Sequence, residues 1–572
     1  MELIEILVGA ALDSGCSDPE ACRTLLDSGT PGGDSLIERL LDAGWVDEGV
    51  FFANLASRLS IPFQETTELD LSEPLHQRFP AKLALRHRIL PSRLTSDGVT
   101  LMTYNPFDLD AKQDVGQTYP LDAQWVLSTR YQIMESLRQG SGVGAANFED
   151  ILEGREETEE IDALSQDVNV LEENEEATVM SFVNQVFREA LVERATDIHI
   201  EPLERDLRIR YRVDGMLQEV TVPPNMRLLQ ASLISRLKIM ANLDIAERRL
   251  PQDGRINLEL DGQRIDVRVA TIPSVNGESV SLRLLSREKF SFASLGMDED
   301  IERRIRELLT LPNGIILVTG PTGSGKSTTL YTFLREINTK DTRIVTIEDP
   351  VENKLDGVVQ IAVKPEISLT FASGLRSILR GDPNVIMVGE MRDLETTEIA
   401  IRGALTGHLV FSTLHTNDAI GGISRLLDMG IEPFLIASSV RCFIAQRLVR
   451  SLCPSCRAPS REFSEGYLDS IGFPRLGRDR IMKTGGCREC RGTGYRGRMA
   501  VIEMCPVSLK MQELIAGRAS ASELGEAAFE EGMVPLREAG WAKVVEGLTT
   551  VEEVLTATTD GRGNNGAKPA GE

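Results

Sequence analysis

The sequence predicts an α/β multidomain protein with a doubly wound parallel sheet at its centre, and two observations carry this prediction. Between about Leu295 and Leu448, apolar β-branched runs alternate with helical patterns, as in a sheet with helices on both faces. Inside this region, residues 320–327 read Gly-Pro-Thr-Gly-Ser-Gly-Lys-Ser and match the G-x-x-x-x-G-K-[ST] pattern without a mismatch. The central domain is therefore expected to bind a nucleotide.

The phosphate-binding loop lies where its chemistry requires, between a buried strand near Ile315–Thr319 and a helix that starts near Thr328. Glycines let successive backbone N–H groups face one anion, and the helix N-terminus adds partial positive charge. We expect Lys326 to reach the outer phosphates and the Ser327 hydroxyl to hold Mg²⁺. The expected nucleotide-binding residues are Gly320, Pro321, Thr322, Gly323, Ser324, Gly325, Lys326, Ser327 and Thr328.

The composition limits the class of protein. The chain of 572 residues has room for about three to five domains, and its apolar content of 41% is ordinary for globular proteins. No stretch approaches the roughly 18 apolar residues of a membrane span, and the N-terminus carries Glu2 and Glu5 instead of a basic segment. A cytoplasmic location is therefore expected. The net charge of −25 argues against general nucleic-acid binding, which needs a basic surface.

Shifts in composition divide the chain into regions. Residues 149–176 hold thirteen acids and one base, Arg155, which indicates a solvated linker because such charge does not pack into a core. The expected regions are an N-terminal module (1–145), the acidic linker (146–176), an arginine-bearing α+β domain (177–290), the nucleotide-binding core (291–448), a tetracysteine subdomain (449–500), a C-terminal helical region (501–560) and a disordered tail (561–572).

The region before the core has the alternating pattern of half-buried strands. Apolar and charged residues alternate in four runs, which start near Leu207, Ile256, Ile265 and Val280. One face of this sheet is therefore expected to be buried, and the other to present arginines.

Two further strands of the core end in acids, as a phosphate-binding loop requires. The run from Val385 ends at Glu390, whose carboxylate is suited to the Mg²⁺ shell through water. The run from Ile344 is followed by Glu348, Asp349 and Glu352, one of which could orient and deprotonate the attacking water. The alternative is that these acids only face solvent.

A third strand, near residues 407–415, is flanked by His408 and His415 in a chain that has five histidines. His415 follows the strand, where it could touch the terminal phosphate; the alternative is a packed core histidine.

Two pairs of cysteines have the spacing of a metal site: Cys453-Pro-Ser-Cys456 and Cys487-Arg-Glu-Cys490. Four thiolates with no histidine or water position predict a closed structural Zn²⁺ site, and unligated thiols are the alternative.

Together these motifs resemble the secretion-superfamily ATPases of type II secretion and type IV pilus assembly. The resemblance rests on the phosphate-binding loop, the acidic run 347–352, the run 381–393 that contains Glu390, and the run 407–417 that contains His415. It implies a RecA-like ATPase core with ATP and Mg²⁺ as cofactors. It further implies that Glu352 is the catalytic base, Glu390 the Mg²⁺-associated glutamate and His415 the phosphate sensor. The cysteine pairs resemble a zinc subdomain of the assembly-type members.

The resemblance extends to the preceding α+β domain, of PAS-like fold, through residues 195–202 and 248–255. In the family this domain folds over the nucleotide and supplies arginines, which here would be Arg268 and Arg283, with a hinge near residues 287–296. The alternative is that both are exposed strand arginines paired with Asp266 or Glu278.

The N-terminal region resembles the family's N-terminal module in residues 55–63, 79–84 and 89–91. Some relatives of that module bind cyclic di-GMP, but their pattern has Gly where this chain has Ser60 and Leu where it has Ser92. A module that docks on an inner-membrane platform protein is the preferred interpretation.

The resemblance implies an ATPase motor, hexameric and peripheral at the inner membrane, that drives pilin or pseudopilin assembly; no nucleic-acid partner is expected. One alternative is a nucleic-acid-translocating ring ATPase, which the acidic charge disfavours. The other is a nucleotide-regulated sensor or binding module with slow hydrolysis.

Overall fold

The structure is a computed structural model of the chain, and it describes residues 2–16, 19–27, 36–64, 79, 81–94, 98–118, 122–141, 169–222, 226–260, 262–285, 290–487 and 489–558. Two compact units, residues 1–284 and 285–572, make up the chain. The predicted disordered tail, most of the predicted acidic linker and part of the predicted hinge lie outside the described residues.

The first part of unit one combines helices with a small sheet. Strand β2 pairs antiparallel with β1 and parallel with β3. Phe51, Phe52 and Leu101 are fully buried between these elements. The elements are α1 (Glu2–Asp13), α2 (Pro19–Asp27), α3 (Leu36–Asp42), α4 (Glu48–Leu59), α5 (Ala81–Arg86), β1 (Leu90–Leu94), β2 (Gly98–Thr103), α6 (Leu109–Thr118), β3 (Asp122–Leu127) and α7 (Arg130–Ser141).

The second part of unit one is a six-stranded sheet in the order β6-β5-β4-β9-β8-β7. It contains all four predicted strands, and in β5 the residues Leu207, Ile209 and Tyr211 are buried while the arginines between them lie on the other face. The elements are α8 (Asn169–Val192), β4 (Ala195–Pro202), β5 (Leu207–Val213), β6 (Met216–Val220), a 3₁₀ turn (Met226–Leu229), α9 (Gln230–Met240), β7 (Gln252–Leu260), β8 (Gln263–Ser274) and β9 (Gly277–Leu285).

Helix α8 begins at Asn169, inside the segment for which the sequence predicts a linker. Glutamate, which is frequent in this part of the sequence, is a good helix former. The end of the acidic run therefore continues into a helix whose Phe182 and Phe187 are buried in the core of the sheet.

The sheet of unit two confirms the predicted doubly wound core. Its order is β12-β11-β13-β14-β10-β15-β18, and the strands from β10 to β15 pair in parallel. Every residue of β10, β11, β13 and β14 is buried, as expected for strands covered on both faces. These strands are β10 (Gly314–Thr319), β11 (Ile344–Glu348), β12 (Val359–Ala362), β13 (Val385–Val388), β14 (Leu409–Leu414) and β15 (Val440–Leu452).

Helices cover this sheet on both faces. They are α10 (Phe292–Leu295), α11 (Glu299–Leu309), α12 (Lys326–Ile337), a 3₁₀ turn (Pro365–Ile367), α13 (Phe371–Leu379), α14 (Leu394–Leu405), α15 (Ala419–Asp428) and α16 (Pro433–Ser439). The C-terminal helices, which carry the predicted Leu514, Leu524, Leu536 and Val544, are α18 (Leu509–Ala516), α19 (Ala521–Glu530), α20 (Leu536–Val545) and α21 (Val551–Thr558).

The last strand of the sheet, β18 (Tyr495–Pro506), was not predicted, because its second half was assigned to a helical region. It pairs antiparallel with β15 over ten residue pairs, from Cys442–Pro506 to Leu452–Tyr495. The chain between these two strands holds the four cysteines, together with β16 (Ala458–Pro459), α17 (Glu465–Ser470), a 3₁₀ turn (Arg478–Arg480) and β17 (Met482–Lys483). The cysteine segment is thus an excursion between two strands of the core sheet. None of the described helices is long and apolar enough to cross a membrane.

Candidate nucleotide and metal sites

The carboxyl ends of β10, β11, β13 and β14 bring the predicted nucleotide-site residues of unit two to one edge of the sheet. The phosphate-binding loop follows β10, and Glu390 and His415 follow β13 and β14. His415 Nε2 lies 3.4 Å from Glu390 Oε2. In parallel α/β sheets this edge is where ligands bind.

The loop backbone needs its glycines. Gly323 and Gly325 have φ angles of 82° and 86°, in the left-handed region that other residues rarely adopt. A Cβ at Gly320 would lie 2.5 Å from Ser324 Oγ and 2.6 Å from the carbonyl oxygen of Gln446. A side chain is therefore excluded by close contact at Gly320 and disfavoured by the backbone conformation at Gly323 and Gly325.

Lys326 is the first residue of α12 and is buried at 9% exposure. Its Nζ donates to the carbonyl oxygens of Gly320 at 2.7 Å and Pro321 at 2.9 Å. Burial lowers the pKa of Lys326 to about 8, partly offset by the negative charge of Glu390. A buried ammonium group held over the loop by its carbonyls is placed to bind an anion there.

The loop residues fit a phosphate group. The Oγ atom of Ser324 is buried and has no hydrogen-bond partner within the described chain. Ser327, by contrast, is exposed at the start of α12, where its hydroxyl is accessible to a cation.

Glu390 is nearly buried and has two cationic or polar neighbours. Its Oε1 accepts from Arg392 Nη2 at 2.5 Å, and His415 lies on the other oxygen. His415 is about half exposed, so it is not the packed core histidine of the alternative interpretation. His408 instead points Nδ1 at the carbonyl oxygen of Gly403, 2.8 Å away.

The three acids at and after the end of β11 lie in different surroundings, and Glu348 is the last residue of the strand itself. Glu348 is buried, and its carboxylate accepts hydrogen bonds from Tyr331, Thr346 and Gln360. Asp349 is exposed, and Glu352 is partly exposed on the loop that follows the strand.

Gln446, a fully buried residue of β15, is a supporting residue that was not predicted from the sequence. Its Nε2 donates to the carbonyl oxygen of Ser324 at 2.8 Å, and its Oε1 accepts from Thr329 Oγ1 at 2.7 Å. One side chain therefore ties the phosphate-binding loop to the helix that follows it. Because β15 also contains Arg441, Arg447 and Arg450, one more polar residue in this run did not stand out.

Glu503 of β18 is a second residue that the sequence did not single out. It is buried, and it accepts the backbone N–H groups of Ala419 at 2.7 Å and Leu536 at 3.1 Å. Burial raises the pKa of Glu503, and these two hydrogen bonds oppose the rise. The carboxylate thus caps helices α15 and α20 together.

The four predicted metal-ligating cysteines converge, with all four sulfur atoms within 4.8 Å of one another. The Sγ atoms of Cys453 and Cys487 are 3.7 Å apart, and those of Cys456 and Cys490 are 3.6 Å apart. In a tetrahedral site with Zn–S bonds of about 2.3 Å the sulfur atoms lie about 3.8 Å apart. The cluster therefore has the dimensions of a zinc site.

The backbone around the cluster favours a thiolate at Cys490. The N–H groups of Cys487 and Gly494 donate to Cys490 Sγ at 3.1 and 3.2 Å. Desolvation opposes ionisation of this thiol, but the two N–H groups and the neighbouring sulfurs outweigh it and lower the pKa of Cys490 to about 7. A Cβ at Gly485 would lie 2.1 Å from the carbonyl oxygen of Cys456, so this position accepts only glycine.

The two predicted catalytic arginines lie on the sheet of unit one. Arg283 donates from Nε to Asp197 Oδ1 at 2.9 Å and is more than half exposed. Of the two acids in the alternative interpretation, Glu278 contacts the buried Lys238 at 2.5 Å and Asp266 lies 3.9 Å from Arg255. Arg268 lies on β8, opposite Arg255 of β7.

The N-terminal departures from the family pattern have visible structural settings. Ser60 ends α4 with a φ of 55°, in the left-handed region that glycine adopts most easily. Arg58 is engaged with Asp13, with Nη2 2.5 Å from Oδ2.

Comparison with known proteins identifies the family. Residues 172–556 match the family described as Type II/IV secretion system protein, and residues 59–144 match the MshEN domain. The chain is 40% identical to the type IV pilus assembly ATPase PilB of Myxococcus xanthus over 91% of this chain and 93% of that protein. It is 44% identical to the type II secretion system protein E of Pseudomonas aeruginosa over 79% and 89%, respectively.

Among solved structures, the ATPase DotB of Yersinia pseudotuberculosis is 22% identical, with a TM-score of 0.50 over 66% of this chain and 93% of that one, which is a likeness of fold. The chain belongs to the type II/IV secretion system ATPase family, and it is an ATP-hydrolysing enzyme with a RecA-like core. The resemblance found in the sequence is thereby confirmed.

Proposed function

We propose that ATP hydrolysis by this chain drives the assembly of pilin or pseudopilin subunits, in a type IV pilus or a type II secretion machine. The observation that carries the proposal is the gathering of Lys326, Glu390 and His415 at one sheet edge, together with relatives named for both machines. Such a site hydrolyses ATP, and the family uses that hydrolysis in secretion and pilus machines.

In the proposed reaction Glu352 orients the attacking water and accepts its proton. Glu348 is a poor candidate for this role because three hydrogen bonds hold its buried carboxylate. Glu352 is partly exposed at the same loop, so its side chain has access to water.

Lys326 and the loop N–H groups would bind the phosphates, residues Gly320 to Thr328 forming the cradle. The Ser327 hydroxyl and Glu390 would hold Mg²⁺, which supplies charge neutralisation between the phosphates when bound. His415, beside Glu390, would then contact the terminal phosphate and respond to its loss.

We assign Arg268 and Arg283 to stabilising charge that develops on the transferred phosphoryl group. Both arginines lie on a sheet outside the unit that carries the phosphate-binding loop. This position fits the proposed role in a ring of six chains, where movement of the arginine-bearing domain would bring the arginines to a nucleotide site. Arg283 would have to leave Asp197 to do so.

The four cysteines would bind one Zn²⁺ as a structural ion. A closed set of four thiolates leaves no position for water, so the ion would stabilise the excursion between β15 and β18 and take no part in hydrolysis.

We assign the N-terminal module to docking on a platform protein of the inner membrane, which would hold the chain at that membrane through its partner. The matched MshEN domain supports this assignment. We propose residues 1–145 as this module, 177–290 as the arginine-bearing domain and 291–448 as the ATPase core.

Replacement of Glu352 tests the chemistry. Glu352→Gln should lower kcat at least about 10³-fold while ADP and ATP affinities stay within about threefold, because the amide keeps the shape and loses the base. Steady-state turnover and equilibrium binding would measure both. Normal turnover in this variant would move the base to Asp349 or another residue.

Replacement of the chromosomal gene tests the biological role. A cell with the Glu352→Gln chain should make normal amounts of pilin-type subunits but no assembled fibre and no secretion through the machine. Immunoblots of sheared surface material and of culture medium would show this. Unchanged fibres and secretion would contradict the proposal even if purified protein hydrolyses ATP.

A further inference from the structure

Tyr331 connects the helix of the phosphate-binding loop with the acidic loop after β11. It lies on α12, five residues after Lys326, and is fully buried. The ring of Phe290 packs edge-on against it, with ring centroids 5.3 Å apart. The phenol ring is therefore held in one orientation.

The hydroxyl of Tyr331 uses its whole hydrogen-bonding capacity at the acidic loop. Its Oη donates to Glu348 and accepts the backbone N–H groups of Glu352 at 3.2 Å and Asn353 at 3.4 Å. A phenol has one proton to donate and two lone pairs. The backbone N–H groups of two consecutive loop residues therefore donate to the same side-chain oxygen.

The partners of Tyr331 form a buried network around it. Glu348 also accepts from Thr346 Oγ1 at 2.6 Å and from Gln360 Nε2 at 3.0 Å. Gln360 in turn donates to the carbonyl oxygen of Asn353 at 2.9 Å and accepts the N–H of Leu355 at 2.7 Å. The loop is therefore tied to this network by four of its backbone groups.

The direction of these hydrogen bonds is fixed by the charge state of the phenol. Burial raises the pKa of Tyr331 well above its usual range, and the negative charge of Glu348 and their hydrogen bond raise it further. The phenol stays protonated at neutral pH and donates its proton to Glu348. Both lone pairs then remain available to the loop N–H groups.

We infer that Tyr331 is a positioning residue for ATP hydrolysis, which fixes the Glu352 loop relative to the phosphate-binding loop. The inference rests on the proposed role of Glu352. Because Lys326 and Tyr331 share one helix, the group that binds the phosphates and the hydroxyl that holds the loop belong to one rigid element. Displacement of a catalytic group by about 1 Å lowers rates about a hundredfold, so such a tie matters for kcat.

Tyr331→Phe in the full-length protein tests the inference, since it removes one oxygen atom. We expect kcat to fall between about tenfold and a hundredfold, while KM for ATP and the affinity for ADP change less than about threefold. Hydrogen exchange of the backbone amides in residues 349–355 should rise about tenfold, with no change in residues 320–328.

Tyr495→Phe is the matched control, because it removes the hydroxyl that contacts Thr550 Oγ1 at 3.1 Å, away from the acidic loop. It should leave kcat and the exchange of residues 349–355 unchanged. Gln360→Leu, on the edge strand β12, removes two other ties of the loop and should reproduce the pattern of Tyr331→Phe if that variant does not fold.

The inference would be overturned by an unchanged kcat, by an ADP affinity that falls as far as kcat, or by exchange that rises equally in both loops. The last two would show a merely structural residue. Normal turnover of Glu352→Gln would instead overturn the proposed base, and with it the catalytic part of the inference. Unchanged exchange in Tyr331→Phe would overturn the inference alone.

Discussion

The four-cysteine cluster and the nucleotide site lie in one unit of this protein but are assembled in opposite ways. The cluster takes four sulfur atoms from two short loops, in pairs three residues apart. The nucleotide site takes its groups from the ends of four strands, so its geometry depends on how those strands align in the sheet. A site of the first kind is set by local spacing, and a site of the second kind by buried partners far away in the chain.

If the two sites are independent in this way, breaking the cluster should spare nucleotide binding. The chain should contain about one Zn²⁺, and Cys487→Ser should lose most of it, because three thiolates no longer close the site. Metal analysis by mass spectrometry would measure this loss. The apparent Tm should fall by several degrees while the affinity for ADP stays the same.

Cys505→Ala, which changes a buried cysteine outside the cluster, serves as the control and should keep its zinc. A fall in ADP affinity in Cys487→Ser would show that the two sites are coupled after all.

The reverse change should break the nucleotide site and spare the cluster. Gln446→Leu removes both hydrogen bonds that tie Ser324 to Thr329 and leaves buried polar groups without partners. We expect ADP affinity to fall about tenfold with zinc content unchanged, as measured by calorimetry and metal analysis. Gln512→Leu, which loses only a bond to the Val507 carbonyl, should bind ADP normally; equal losses in both variants would rule out a specific role for Gln446.

The smallest effect that we expect concerns the charge of Lys326. Its folded pKa of about 8 lies below its unfolded value, so the unfolded chain binds more protons between about pH 8 and 10.5 and stability rises across that window. Below about pH 8, the buried charge of Lys326 lowers the free energy of unfolding by its full amount. Without nucleotide, Lys326→Met should therefore have a higher apparent Tm than the unchanged protein at pH 7, and the difference should shrink toward pH 10. A difference independent of pH would show that the charge is not responsible.

The same contrast between the cysteine cluster and the nucleotide site explains which features could be predicted from the sequence. The cysteine spacing alone predicts that four sulfur atoms come together. The glycines of the phosphate-binding loop likewise predict a backbone conformation that other residues rarely adopt. Glu390 and His415 were predictable because acids and histidines at the ends of apolar strands stand out. The distance between His415 and Glu390 was not, since it depends on the pairing of β13 with β14.

The residues that support the nucleotide site could not be predicted from the sequence, for a related reason. Tyr331 and Gln446 occupy positions that read as ordinary core residues, and only the folded chain shows which polar atoms they meet. Strand β18 was missed because an isolated strand at the far side of a long excursion has no neighbour in sequence to pair with. Its partner β15 precedes it by more than forty residues.

That pairing makes the cysteine excursion removable in principle. Leu452 and Tyr495 face each other across β15 and β18, so a two-residue turn could join the strands there and delete everything between. The shortened protein would keep the order of its sheet. The deletion would also expose Trp541, whose ring lies 5.2 Å from that of Phe473 in the deleted segment. The shortened protein would therefore need a polar residue in place of Trp541 to stay in solution.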